Sequence, residues 1–264
     1  MVKSNIVSSK QFESVRLENV SKSFRGGLDP VLKGVSIEFP EGKLTYILGS
    51  SGAGKSVLLK HILGLLQPDE GSVWVAGRNL QDLNRVELSQ LRLKFGMLFQ
   101  SAALFDDLSV YDNVAFPLRE HTSLSEDEIL QIVQEKLSIL GMKTGLDKMP
   151  NELSGGMKKR VGLARAIIRE PSILLYDEPT TGLDPVTRTT VDELIATLKH
   201  ELKLTSIVIS HDLVSALLLA DAIAFLYAGK IIFFGTPHEF KVSNEEVIQS
   251  FISAERRALR AFEV

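Results

Sequence analysis

Gly49-Ser50-Ser51-Gly52-Ala53-Gly54-Lys55-Ser56 stands between an apolar segment at 44–48 and a helical apolar pattern that runs to Leu66. The run matches G-x-x-x-x-G-K-S in full, in the strand–loop–helix setting that gives this pattern its meaning. Glycines allow successive backbone N–H groups to curl around an anion without Cβ clashes. The helix that follows adds the positive potential of its N-terminus. Gly49, Ser50, Ser51, Gly52, Ala53, Gly54, Lys55, Ser56 and Val57 are therefore the candidate nucleotide-binding residues. Lys55 would reach the β- and γ-phosphates as a point charge, and the Ser56 hydroxyl would face Mg²⁺.

A loop of this kind needs a sheet behind it, and the sequence supplies one. Residues 173–176 and 206–209 are continuous apolar runs bounded by polar residues, as expected of strands buried on both faces of a parallel sheet. Helical patterns lie between them, so the core is read as a doubly wound α/β fold. Residues 14–20 and 35–39 read as earlier strands separated by a Gly-Gly and Asp-Pro turn region, and 72–76 as another strand. The five residues from Gln67 to Gly71 are expected to end the helix after the loop. Residues 222–235 read as a hairpin turning at Ala228-Gly229-Lys230. Between 101 and 151 the character changes. Ser125 and Glu128 form a candidate capping box, followed by Ile129, Ile132, Val133, Leu137 and Leu140 at helical spacing and a stop at Gly141. This stretch is either a helical insert or a plain surface helix of the core. A second box, Ser243 with Glu246, precedes Val247, Phe251, Leu259 and Phe262, which predicts a C-terminal helix.

The first apolar run of the core, 173–176, leads straight into Asp177-Glu178. The carboxyl end of a buried strand is where open α/β sheets place ligands. Asp177 would hold Mg²⁺, and Glu178 would orient and polarise an attacking water. Taken alone, such a pair is more simply a solvated strand end. The phosphate loop upstream changes that reading.

Composition narrows the class further. The chain has 264 residues, 44% apolar and 24% charged, with a formal net charge of −3. That is the profile of a globular domain, and bulk charge does not favour nucleic acid. There is no cysteine, which excludes disulfides, Cys-ligated metals and cysteine nucleophiles. Residues 1–14 lack an apolar core of signal-peptide length, and no segment approaches the roughly 18 apolar residues of a membrane span. Membranes, if involved, must be spanned by another chain. His61, His121, His200 and His238 have no paired ligands and are read as structural.

Leu153-Ser154-Gly155-Gly156-Met157 is followed by Lys158-Lys159-Arg160 and a helical run over 161–168. Small residues at a helix start suit a phosphate, though alone they read as an ordinary cap. Placed between the phosphate loop and the acidic strand end, they resemble the signature motif of the ABC ATPases, which usually ends in Gln where this chain has Met157. The other family motifs follow in order. Gln100 resembles the Q-loop glutamine, a sensor of γ-phosphate, metal and water. Gly182-Leu183-Asp184 resembles the D-loop, and His211 the switch histidine. Phe24 stands where the family stacks a ring on adenine, with core packing as the alternative.

The resemblance implies a P-loop NTPase with a RecA-like α/β core, an N-terminal antiparallel β subdomain and an inserted α-helical subdomain. The first two would comprise residues 13–100 and 152–240, the insert 101–151, and a helical tail 241–264. It implies ATP and Mg²⁺ as cofactors, with Glu178, His211, Gln100 and Lys55 as catalytic residues. Ser56, Gln100 and Asp177 would attend the metal. It also implies a homodimer in which Ser154, Gly155, Gly156 and Asp184 of one subunit close on ATP held by the other.

One branch is closer. Leu98-Phe99-Gln100-Ser101-Ala102-Ala103-Leu104-Phe105 and Asn113-Val114-Ala115-Phe116-Pro117-Leu118-Arg119-Glu120-His121 resemble the ATPases of Mce-associated, Mla-type lipid transport systems. That implies permease partners, an Mce-domain lipid-binding protein, no nucleic acid, and a peripheral position at the cytoplasmic face of the inner membrane. Residues 110–118 either help dock a permease helix or simply pack the insert. The tail is either a clasp on the partner subunit or an ordinary surface helix. The rival assignment is a soluble ABC ATPase serving an iron–sulfur assembly scaffold.

Overall fold

Alternation of buried and exposed side chains builds the outer sheet. In β1 (Val15–Phe24) Val15, Leu17 and Val20 point inward while Arg16 is exposed, and in β2 (Asp29–Phe39) Leu32, Val35, Ile37 and Phe39 do the same. The computed structural model describes residues 14–260 apart from positions 25, 26 and 28. The expected tail residue Phe262, Gly26 of the first turn and residues 1–13 lie outside the described residues. Both strands exceed the sequence expectation of 14–20 and 35–39. Asp29-Pro30, expected in the turn, belongs to β2 and pairs with Phe24 and Ser23. Proline is tolerated there because β2 is an edge of its sheet, where a missing N–H disrupts least.

β3 (Leu44–Leu48) leads through the glycine-rich loop into α1 (Lys55–Ile62). This helix stops four residues before the expected Leu66. Gly64 adopts φ 62°, Leu65 N–H donates to Lys60 C=O at 2.8 Å, and Gly64 N–H donates to His61 C=O at 2.9 Å. That is a Schellman closure, in which glycine takes the left-handed position at low steric cost. β4 (Glu70–Val75) and β5 (Arg78–Asn79) complete the antiparallel outer sheet, ordered β2-β1-β4-β5.

α2 (Arg85–Arg92) precedes β6 (Phe95–Leu98), the edge of the inner sheet. Three helices then intervene: α3 (Val110–His121), α4 (Glu126–Ile139) and α5 (Gly155–Ile167). The Ser125–Glu128 capping box forms as expected at the start of α4. Val110, Val114, Ala115 and Leu118 of α3 are buried in one apolar cluster with Ile129, Val133 and Leu137 of α4 and Val161 and Ala164 of α5. Across the exposed side, Arg119 donates to Asp112 at 2.8 Å and to both Glu126 carboxylate oxygens at 2.8 and 2.7 Å.

β7 (Ile173–Asp177), α6 (Pro185–Leu202), β8 (Thr205–Ser210), α7 (Leu213–Leu219) and β9 (Ala222–Tyr227) follow, and β10 (Lys230–Gly235) returns antiparallel as the expected hairpin. The inner sheet runs β10-β9-β3-β8-β7-β6, with β9, β3, β8, β7 and β6 parallel. Tyr46, Tyr176, Val208 and Phe225 fill one face; Ile47, Leu175, Ile207 and Ile209 fill the other. Each such residue stabilises the fold by about 1.5–3 kcal/mol on burial. This two-sided burial is what makes the strands read as unbroken apolar runs.

After α8 (Pro237–Lys241) the tail forms α9 (Glu246–Arg260). The Ser243–Glu246 box is not its start. The Ser243 hydroxyl accepts from Glu245 N–H at 3.3 Å, and Gln249 reaches back to Ser243 C=O at 2.6 Å. The helix begins at Glu246, with Gln249 N–H donating to Glu245 C=O, so the chain enters it two residues later than a cap at Ser243 requires. Phe251 of α9 packs on Phe225 of β9, ring centroids 5.1 Å apart, which anchors the tail to the core.

Candidate functional site

Parallel strands deliver their carboxyl ends to one rim of the inner sheet, and the loops after β3, β6, β7 and β8 meet there. The loop after β3 begins at Gly49, where a Cβ would stand 2.4 Å from the Leu226 carbonyl oxygen of β9. No other residue fits that approach. Gly54, with φ 105°, turns the chain into α1. Lys55 is 6% exposed, and its ammonium donates to Gly49 C=O at 2.8 Å and Ser50 C=O at 3.2 Å. It also lies 3.4 Å from Glu178 Oε1.

Glu178 follows directly on β7. Its φ of 48° is left-handed, a conformation that costs a residue with a Cβ about 1 kcal/mol or more and that clusters at functional sites. Its N–H donates to Ile209 C=O of β8 at 2.9 Å, so the neighbouring strand fixes the turn. Glu178 Oε2 accepts from the Thr181 hydroxyl at 2.8 Å and sits 2.9 Å from His211 Nδ1, which β8 delivers from the next strand end. Asp177 beside it is half-buried. Burial pushes its carboxyl above the ordinary range, the Glu178 charge adds to this, and Lys55, Lys60 and Lys159 oppose it.

These groups surround a cavity of about 670 Å³ lined by Ser50, Ser51, Gly52, Gly54, Lys55, Ser56, Val57, Gln100, Glu178, Thr181 and His211, with Val31 from β2. Ten of the candidate site residues singled out in the sequence thus share one wall. The others stand elsewhere. Gly49 and Ala53 support the loop from behind. Phe24 ends β1, 39% exposed, with the Lys22 ammonium 6.0 Å from its ring, and lies outside this lining. Ser154 and Gly155 are exposed at the start of α5, where Ser154 caps the helix through Met157 N–H at 3.3 Å. A Cβ on Gly156 would stand 3.4 Å from Thr187 Cγ2, which places this segment beside the start of α6, and it is not part of the lining of the phosphate-loop cavity. Asp184 is engaged as the cap of α6, accepting from Val186 N–H, Thr187 N–H and the Thr187 hydroxyl.

Sequence reasoning missed four neighbours. Thr181 holds Glu178. Lys159 donates to Gln100 C=O at 2.6 Å. Its signal was a lysine on the stripe that also carries buried Gly162 and Leu163. Phe251 and Glu255 of α9 line the cavity opposite the phosphate loop; Val247, Phe251 and Glu255 recur every fourth residue, which puts them on one helix face. Burial raises the Glu255 carboxyl pKa and Asp212 adds to this, while His211 works against it.

Residues 32–181 match the family profile described as ABC transporter. The chain belongs to the ABC transporter family. It is an ABC-type ATPase domain. The chain is 39% identical over 243 residues to the "Probable ribonucleotide transport ATP-binding protein mkl" of Mycobacterium leprae, covering 92% of this chain and 70% of that one. It is 41% identical over 239 residues to the intermembrane phospholipid transport system ATP-binding protein MlaF of Haemophilus influenzae, covering 90% of each. The dimeric structure of a bacterial ABC transporter cassette superposes with a TM-score of 0.76 at 32% identity, over 84% of this chain and 98% of that one.

Proposed function

We propose that the chain is the ATP-hydrolysing subunit of a membrane transporter that powers phospholipid movement between bacterial membranes, working as a homodimer on integral-membrane permease subunits. The observation that carries the catalytic part is Glu178. Its carboxylate stands 3.4 Å from Lys55 and 2.9 Å from His211 on the wall of the phosphate-loop cavity. Loop N–H groups and Lys55 bind the phosphates, Glu178 orients and polarises the attacking water, and His211 holds Glu178 in place and faces the departing phosphate. The chemistry is in-line transfer to water by positioning and electrostatics.

The donor set fits Mg²⁺. Among the described residues no three His, Cys, Asp or Glu side chains converge as a protein cage. Mg²⁺ characteristically relies on one or two carboxylates, hydroxyls, waters and the nucleotide's own phosphates. Ser56, Asp177 and Gln100 would attend it, and it would neutralise phosphate charge. The exposed Ser154–Gly156 segment, outside the lining of its own chain's cavity, is consistent with service to a second copy's nucleotide, as is the resemblance to a dimeric cassette.

We read residues 13–100 with 152–240 as the β subdomain and core, 101–151 as the helical subdomain, and 241–264 as the tail. A permease partner is supported by the groove between β6, α3 and α5. Phe99, Phe105 and Phe116 are 41%, 45% and 39% exposed along it, beside Pro117. Val110, Asn113, Val114, Ala115 and Leu118 are inside, and of residues 110–118 it is Phe116 and Pro117 that line this groove. No described helix is long and apolar enough to cross a membrane. In this reading the permease partner holds the chain peripherally at the cytoplasmic face of the inner membrane, and the cargo reaches only its partners. Relatives that bear transport in their names favour this over the iron–sulfur scaffold reading.

Affinity purification from native membranes tests it. Co-purification of a permease, an Mce-domain protein and phospholipid is expected. Retention by a soluble scaffold alone overturns the transporter reading. A permease complex holding ribonucleotide and no lipid overturns the cargo.

A further inference from the structure

Lys159 is a lysine one turn into α5, and only 4% of it is exposed. Burying an ammonium is expensive unless it is hydrogen-bonded, and a methionine or leucine would pack the same stripe without that cost. The ammonium is spent on one loop: it donates to the backbone carbonyl of Gln100 at 2.6 Å. Two turns further along the same helix, the Arg165 guanidinium donates to Ala102 C=O at 2.8 Å and Ala103 C=O at 2.7 Å. Ala102 and Ala103 both adopt left-handed backbone, φ 62° and 45°, so their carbonyls are turned toward α5 at a conformational cost. Three of the four carbonyls from Gln100 to Ala103 are thereby gripped by cations from one helix.

The two ends of this grip serve different places. Gln100 lines the chain's own nucleotide cavity. The start of α5, with Ser154 and Gly155 exposed, is not part of that lining. An α-helix transmits displacement along its length with little loss because its backbone bonds are internal. Coupling between two sites requires a physical element that both bias, and α5 with its cationic clasp is such an element.

We propose that Lys159, with Arg165, is a positioning residue that ties the Gln100 loop to the signature helix, so that nucleotide occupancy in one site of the dimer sets the placement of the Ser154–Gly156 segment in the other. This rests on the dimeric ATPase reading above. Lys159 is not part of the lining of the nucleotide cavity; it acts through Gln100 and α5.

The test compares wild type, Lys159→Met and Lys159→Arg in the full-length chain within its purified transporter complex. ATPase rate is measured against ATP concentration, ATP affinity by equilibrium binding, and Tm by thermal melting. Wild type is expected to be cooperative in ATP. Lys159→Met should lower kcat about tenfold and bring the Hill coefficient toward one, an effect within the range of inter-site coupling. Its ATP affinity should stay within about twofold of wild type. Lys159→Arg keeps the charge and donors and should recover cooperativity. If Lys159→Met stays as cooperative as wild type, the proposal is overturned and the ATPase reading stands. If cooperativity is lost equally in Lys159→Arg, charge is not the agent and the proposal is overturned. If Lys159→Met does not fold, Lys159→Arg and Arg165→Lys decide: retained cooperativity in the first with reduced cooperativity in the second supports the clasp, and any other pairing overturns it. A wild type that hydrolyses ATP non-cooperatively as a monomer removes the dimer reading itself.

Discussion

Replacing Glu178 by Gln removes a charge and changes little else. The side chain keeps its length, and each of its three contacts can be remade by an amide. Its oxygen can accept from Lys55, now 3.4 Å from Oε1, and its NH₂ can donate to His211 Nδ1 and the Thr181 oxygen, now 2.9 and 2.8 Å from Oε2. Lys55 also keeps Gly49 C=O and Ser50 C=O. The folding cost should therefore stay under about 2 kcal/mol, less than the 3–5 expected when a buried ion pair loses one partner outright. Catalysis loses its base. General-base contributions of roughly 10²–10⁴-fold correspond to about 2.7–5.4 kcal/mol of barrier at 1.36 kcal/mol per decade. ATP should bind at least as well, since a carboxylate no longer competes with phosphate for Lys55, and the bound dimer should persist. Single-turnover phosphate release, equilibrium ATP binding and sedimentation check the three parts. Phosphate release at the wild-type rate would refute the role given to Glu178. Loss of ATP binding would show instead that its charge holds the loop together.

Lys55→Ala should weaken ATP binding and hydrolysis together, because the loop loses both its phosphate cation and the donor that ties Gly49 to Ser50; an unchanged phosphate-release rate contradicts the phosphate-loop assignment. Gly96→Ala puts a Cβ 2.2 Å from Ala166 C=O, 2.9 Å from Leu174 Cδ1 and 3.0 Å from Pro171 Cγ. Forcing α5 off β6 should cost about 1–3 kcal/mol, and an unaltered denaturation midpoint would count against that close approach. The α3–α4 link should fail in acid. Ser109 and then Arg119 hold the Asp112 carboxyl below its usual range, and Arg119 and then Tyr111 do the same for Glu126. Depressed folded-state values mean stabilisation that is present above the ordinary carboxyl values of 3.8 and 4.5 and lost as pH falls through the lowered ones. The stability gap between wild type and Arg119→Ala, from denaturant melts between about pH 6 and pH 3, should narrow with acid; a constant gap refutes the linkage.

What the sequence made legible follows from range. The buried strands announced themselves because both faces are covered, so 173–176 and 206–209 carry no alternation to misread. The phosphate loop is a contiguous eight-residue statement, and its strand and helix came with it. The end of α1 was misjudged because Leu63, Leu65 and Leu66 continue the apolar rhythm past Gly64, and periodicity cannot see a Schellman closure. Ser243 and Glu246 have the right spacing for a cap, but Gln249 takes the Ser243 carbonyl and shifts the entry. Lys159 was hidden for a different reason. Its partner, Gln100, is 59 positions away, and a lysine between Lys158 and Arg160 looks like a solvated face until the fold turns it inward. Glu255 likewise needed the Phe225–Phe251 contact before it could be placed beside the phosphate loop.

That last placement bears on how the protein is handled at the bench. The described part of α9 ends at Arg260, five residues past Glu255, or about 8 Å along a helix. A purification tag of histidines at the carboxyl end would follow the helix that carries Glu255, so its imidazoles, and any metal they hold, would be tethered to one wall of a pocket proposed to hold phosphate and its counter-ion. Protein meant for nucleotide kinetics should therefore carry its tag at the opposite end of the chain, and rates from carboxyl-tagged protein should be compared with those after tag removal before they are assigned to the enzyme.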